Sequence, residues 1–142
     1  MKATELFEAA KRLPPGEQST YITKRLPDVF SDSEITIWSA ETSAPRSGRR
    51  TLIGIAPYSL EDLQLLDAVA ESLSKGHAKQ ERVEVFNILS CADQNGIDQR
   101  VPGIGKVYQT PVVGMWNDGQ IVYKASGAEA RRSIIEHYKQ NS

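Results

Sequence analysis

The chain is nearly empty of the residues that do covalent and metal chemistry. It holds one cysteine, Cys91, and two histidines, His77 and His137, among 142 residues. A single thiol cannot close an intrachain disulfide, so no dithiol chemistry can run within one copy. One cysteine and two distant histidines also fall short of the four ligands of a structural zinc site, and neither a metal nor a cofactor is expected. No apolar run approaches the roughly 20 residues that span a bilayer. Met1-Lys2-Ala3-Thr4-Glu5 lacks the apolar core of a secretory leader. We therefore expect no membrane association, and the lone cysteine fits a reducing cytoplasm. Charge is missing too: 17 basic against 18 acidic residues leave a net charge of -1, which gives no electrostatic reason to expect nucleic acid. The one basic knot, Arg46, Arg49 and Arg50, reads as a solvated loop.

What remains is the composition of a folded protein. Hydrophobic residues make up 39% and charged residues 25%, outside the disordered range. A chain of this size buries roughly two thirds of its unfolded surface, enough for a core without a metal or disulfide staple.

Two short helices open the chain. Thr4 is placed to cap the first, with Leu6, Phe7, Ala10 and Leu13 at helical spacing. Pro14-Pro15 stops it, Pro15 suits the first turn of the second, and Pro27 closes that one after Gln18, Tyr21, Ile22 and Leu26. Ile35-Thr36-Ile37-Trp38 alternates as a strand, and residues 41–50 read as a loop. Thr51-Leu52-Ile53-Gly54-Ile55 is a nearly continuous apolar run, the mark of a strand covered on both faces. Ser59 and Asp62 form a capping box for a helix with an apolar stripe of Leu63, Leu66, Val69, Ala70 and Leu73, ended by Gly76. Glu61 and Asp62 are read as first-turn acids on its solvent side. A further strand runs from Val83 to Leu89. Strand, helix, strand at these lengths is a βαβ unit with a parallel pair. After a loop rich in Gly, Asp and Gln, Asp118-Gly119 between two apolar runs signals a hairpin. Ser126 with Glu129 then caps a last helix that turns Ala130, Ile134 and Tyr138 inward, with Ile135 beside them.

This order from residue 51 to 139, and above all the stretch Thr110-Pro111-Val112-Val113-Gly114-Met115-Trp116-Asn117-Asp118-Gly119 with the capped helix behind it, resembles the thioredoxin-like superfamily. The resemblance implies an α/β fold: a βαβ unit followed by ββα, with a mixed central sheet and flanking helices. Residues 1–30 would be a helical extension and 31–142 the thioredoxin-like domain. It also implies that Pro111 is a cis-proline, beside which the backbone lies open to an extended peptide. Ala56, Pro57, Tyr58 and Ser59 occupy the positions of the family's Cys-x-x-Cys. Neither sulfur is there, and the preceding strand lacks the buried acid that many members carry.

The expected function is a redox-inactive, protein- or peptide-binding module, with Tyr58, Ser59, Tyr108, Thr110 and Pro111 as groove residues and another protein or extended peptide as partner. We do not expect an enzyme. Trp116, at the hairpin, belongs either to this groove or to the core. One alternative is a single-thiol redox or sensor protein acting through Cys91; another is a structural or assembly subunit. Ser59 has no histidine within reach and reads as a helix cap rather than a nucleophile. Gly103-Ile104-Gly105-Lys106 lacks the spacing, the following Ser or Thr, and the helix of a phosphate loop, so nucleotide binding is not expected.

Overall fold

Residues Thr51 to Ile55 are buried because they form the middle of a sheet. The computed structural model describes residues 2–39, 41–75, 82–90 and 94–140. In it, β2 (Arg49–Ile55) runs parallel to β3 (Arg82–Asn87) on one side and antiparallel to β4 (Val112–Asn117) on the other. A short β1 (Ile35–Ile37) adds parallel to β3, and β5 (Gln120–Ser126) adds antiparallel to β4. The sheet order is β1-β3-β2-β4-β5. β2 begins at Arg49 rather than Thr51, because Arg49 and Arg50 pair with Asn117 and Trp116 across the ladder. The Asp118-Gly119 turn has positive φ at both residues, 49° and 89°, the backbone that a two-residue hairpin requires.

Two helices follow these strands in the chain. α3 (Leu60–Ser74) follows β2, and α5 (Gly127–Gln140) follows β5. They share one face of the sheet with α1 (Ala3–Ala10) and α2 (Pro15–Val29). The core on this face joins Leu6, Ala10, Ile22 and Leu26 of the first two helices to Leu63, Leu66 and Val69 of α3, Ala130 and Ile134 of α5, and Ile53, Ile55, Val83 and Val85 of the sheet. Ile135 is exposed. The helical extension therefore shares the main core.

Two of its expected signals differ in detail. Thr4 does not cap α1. The Asp67 carboxyl of α3 does so from across the interface, accepting the backbone N–H groups of Ala3 at 2.7 Å and Thr4 at 3.1 Å. Pro27 does not end α2; it sits inside the helix, which runs on to Val29.

The opposite face carries a second core of Trp38, Leu52, Phe86, Ile97, Val101, Ile104, Val112 and Trp116. Part of it comes from α4 (Gln94–Arg100), in a segment expected to be loop. Seven residues with Gly96 among them carry too short an apolar pattern to announce a helix, and Ile97 and Val101 show their role only in the cluster they share with Phe86 and Trp116. Trp116 is thus a core residue. Its indole N–H donates to the Pro45 carbonyl at 2.8 Å, which pins the loop between β1 and β2. Arg100 fastens the same loop through the carbonyls of Thr42 and Ser39, at 2.8 and 2.6 Å.

Arg50 departs from the basic-knot reading. Its guanidinium pairs with Glu84, which also accepts the Trp38 indole N–H at 2.6 Å. The two side chains of the ion pair are 16% and 14% exposed, so this arginine belongs to the sheet. The Gly103–Gly105 loop is filled from within: Asp98 Oδ1 accepts the N–H groups of Gly103 at 3.2 Å and Gly105 at 2.9 Å.

Candidate functional site

The sheet brings two separated segments to one edge. Register pairs Gly54 with Val112, so the chain leaving β2 at Ile55 lies beside the chain entering β4 at Pro111. Ala56 to Ser59 and Thr110-Pro111 are therefore neighbours. The pairing of Ile55 with Asn87 adds the end of β3 to the same edge. α2 reaches it as well, through a 3.0 Å hydrogen bond from the Asn87 amide to the Thr23 hydroxyl.

Ala56 and Pro57 are buried, while Tyr58 stands out at 58% exposure. Ser59 is the N-cap of α3, its Oγ accepting the Asp62 N–H at 3.3 Å. Half of the expected capping box is thus present. The other half is not, because the Ser59 N–H already donates to the Ala56 carbonyl at 2.9 Å. The Asp62 carboxyl instead reaches back to the Ala56 N–H at 3.0 Å. Asp62 is not on the solvent side: it is fully buried. Its orientation follows from the turn, which curls the Ala56 amide over the start of the helix. Glu61, by contrast, is exposed and pairs with Arg131 of α5 at 3.1 Å.

On the facing segment, Tyr108 is 76% exposed, Thr110 is half-buried and Pro111 is buried. The Thr110–Pro111 peptide bond is cis. The Pro111 carbonyl accepts the Gly127 N–H at 2.8 Å, which ties the start of β4 to the start of α5. Gly127 has φ of +62°, and the Gln109 side chain lies against the position a Cβ would take. Thr110, one residue earlier than Pro111, forms no backbone hydrogen bond among the described residues.

Two contributors escape the sequence reading. Leu89 is expected in a strand, but β3 stops at Asn87 and a 3₁₀ turn leaves Leu89 52% exposed beside Tyr58's end of the sheet. Asp62 carries the signal of an ordinary cap, and only the fold shows it buried. Gly76, His77 and Cys91 lie outside the described residues, as does the side chain of Tyr138. Among the described residues no group of histidine, cysteine and carboxylate side chains could hold a metal, and no helix is long and apolar enough to cross a membrane. Glu71, exposed on α3 away from this edge, is held below the usual carboxyl range by its hydrogen bond to Lys75 and then by that residue's charge.

Comparison with solved structures agrees with the fold. The J-Trx1 fragment of ERdj5 superposes with a TM-score of 0.53 at 12% identity, covering 99% of this chain and 89% of the fragment. A redox protein from Chlamydomonas reinhardtii gives 0.50 at 14% identity, covering 87% of this chain and 41% of its own. The chain has a thioredoxin-like fold. A thioredoxin point mutant from Halobacterium salinarum NRC-1 is also similar, with a TM-score of 0.49 at 11% identity, covering 75% of this chain and 89% of that one. No protein-family model matches the chain, and comparison with curated protein sequences finds no relative. At such identities the likeness speaks for architecture alone. What this thioredoxin-like chain lacks is plain from its own sequence: with one cysteine it cannot form a Cys-x-x-Cys pair.

Proposed function

We propose that this protein is a redox-inactive thioredoxin-like module that binds an extended segment of another protein at the edge formed by Tyr58, Ser59, Tyr108, Thr110 and Pro111. The observation that carries the reading is a Thr110 backbone with no hydrogen bond among the described residues, on the segment of exposed Tyr108 and across from that of exposed Tyr58. An extended peptide laid against Thr110 gains main-chain hydrogen bonds by strand addition, and pockets or rings beside it read alternate side chains. Tyrosines suit that task, since each brings a large contact area while ordering only two torsions. Among the described residues at this edge, Ala56 offers no nucleophile and the hydroxyl of Ser59 is engaged as the α3 cap.

Selection from a phage-displayed library of random linear peptides tests this. Enriched peptides should shift the Thr110, Tyr58 and Tyr108 amide resonances and slow hydrogen exchange at Thr110. A library that enriches nothing, or peptides that leave Thr110 unmoved, would end the reading. In an insulin disulfide-reduction assay the protein should show no turnover above buffer, and clear turnover would contradict redox inactivity.

A further inference from the structure

We propose that Asp62 is a positioning residue, whose buried carboxyl closes the Ala56–Ser59 turn into a frame that holds Tyr58 outward at the binding edge. The inference rests on the reading of Tyr58 as a contact residue.

Three hydrogen bonds close the frame. Ala56 N–H donates to Asp62 Oδ2 at 3.0 Å, Ser59 N–H donates to the Ala56 carbonyl at 2.9 Å, and Asp62 N–H donates to Ser59 Oγ at 3.3 Å. Between Ala56 and Ser59, the turn that leads into the helix, Tyr58 is the exposed residue. In an ordinary capping box the acid at the third helical position returns to the N–H of the cap residue itself. Here it passes that residue and takes an amide three positions earlier, so it fixes the turn as well as the helix end.

The energetics argue against a packing role. Asp62 is fully buried, and its Oδ1 has no hydrogen-bond partner among the described residues. Burying a carboxyl with one oxygen unsatisfied costs stability. The adjacent Leu63, and Leu65 and Leu66 beyond it, fill the core without that cost. The Ser59 hydroxyl already caps α3. The distinct thing the carboxyl achieves is to satisfy the Ala56 amide and hold the turn in one shape, which lowers the entropy lost when Tyr58 meets a ligand.

The test compares wild type with Asp62→Ala and Asp62→Asn, using amide hydrogen exchange and the affinity of peptides selected on the wild type. Asparagine keeps an oxygen for the Ala56 N–H; alanine does not. Asp62→Ala should speed exchange at Ala56 and Ser59 and weaken peptide binding, each by about ten-fold, with the Ile53 and Val113 amides unchanged. Asp62→Asn should stay within about three-fold of wild type in both. An unprotected Ala56 amide in the wild type overturns the proposal before any variant is made. Fast exchange in Asp62→Ala with undiminished affinity overturns it too. If the alanine variant does not fold, the asparagine variant decides: loss of protection or affinity there counts against the carbonyl-type contact. A library that yields no binder removes the binding edge, and Asp62's part in it, while exchange at Ala56 still reports whether the frame exists.

Discussion

Gly54 and Phe86 stand so close across β2 and β3 that a single methyl group would not fit between them. A Cβ on Gly54 would lie 2.6 Å from Phe86 Cζ, and it would meet Val112 Cγ1 of β4 at 2.6 Å on the other side. The contact lies one residue before the end of β2, where the chain turns toward Tyr58. Gly54→Ala should therefore cost about 1–3 kcal/mol, as overpacking in a tight core does. Urea unfolding would measure it, with an unchanged slope and a lower midpoint.

Trp38 and Glu84 form one of the second core's polar contacts. Trp38→Phe keeps the ring packed on Phe86 but removes the indole N–H that Glu84 accepts, leaving the carboxyl with Arg50. The expected loss is about 1.5–3 kcal/mol in equilibrium unfolding, the usual range for a hydrogen bond to a charged partner.

Asp67 joins the helical extension to α3. Asp67→Ala should lower stability by about 1 kcal/mol, as the loss of an N-cap does. The effect should be local: amides of α1 exchange faster and cleavage at Lys11 or Arg12 accelerates, while β2 and β4 amides keep their protection. Asp67→Asn keeps an acceptor for one of the two amides and turns its NH2, a donor, toward the other, so it should recover only part of the loss.

Tyr58 and Tyr108 should behave oppositely to these three. Both rings are mostly in solvent, so Tyr58→Ala and Tyr108→Ala should each stay within about 0.5 kcal/mol of wild-type stability. Each should weaken selected peptides by about ten-fold, the effect of truncating an aromatic contact residue. Equal thermal midpoints with unequal affinities, read by calorimetry, would separate a binding edge from a structural one.

The strand and helix order was legible because its signals are local. Thr51–Ile55 is an apolar run, α3 has its stripe, Asp118-Gly119 is a hairpin turn, and each needs only its own residues to be read. Three features were hidden because their causes lie far away in sequence. The cap of α1 comes from Asp67, more than sixty residues on. Arg50 leaves the solvent only because β3 brings Glu84 beside it. Helix α4 and the residue after it place Ile97 and Val101 in the same buried cluster as Phe86 and Trp116, whereas the local sequence favours a loop. At the candidate site the residue types were readable, and the turn that buries Asp62 was not. A carboxyl at the third helical position looks the same whether it faces water or the back of a turn.

Asp98 has a consequence for anion recognition. Tethered five and seven residues from the amides it occupies, its oxygen competes at an effective concentration on the order of millimolar. A phosphate entering the Gly103–Gly105 loop would first have to displace a resident, covalently attached rival. The glycines there have been recruited to hold the chain's own carboxyl, and the loop works as an internal clasp.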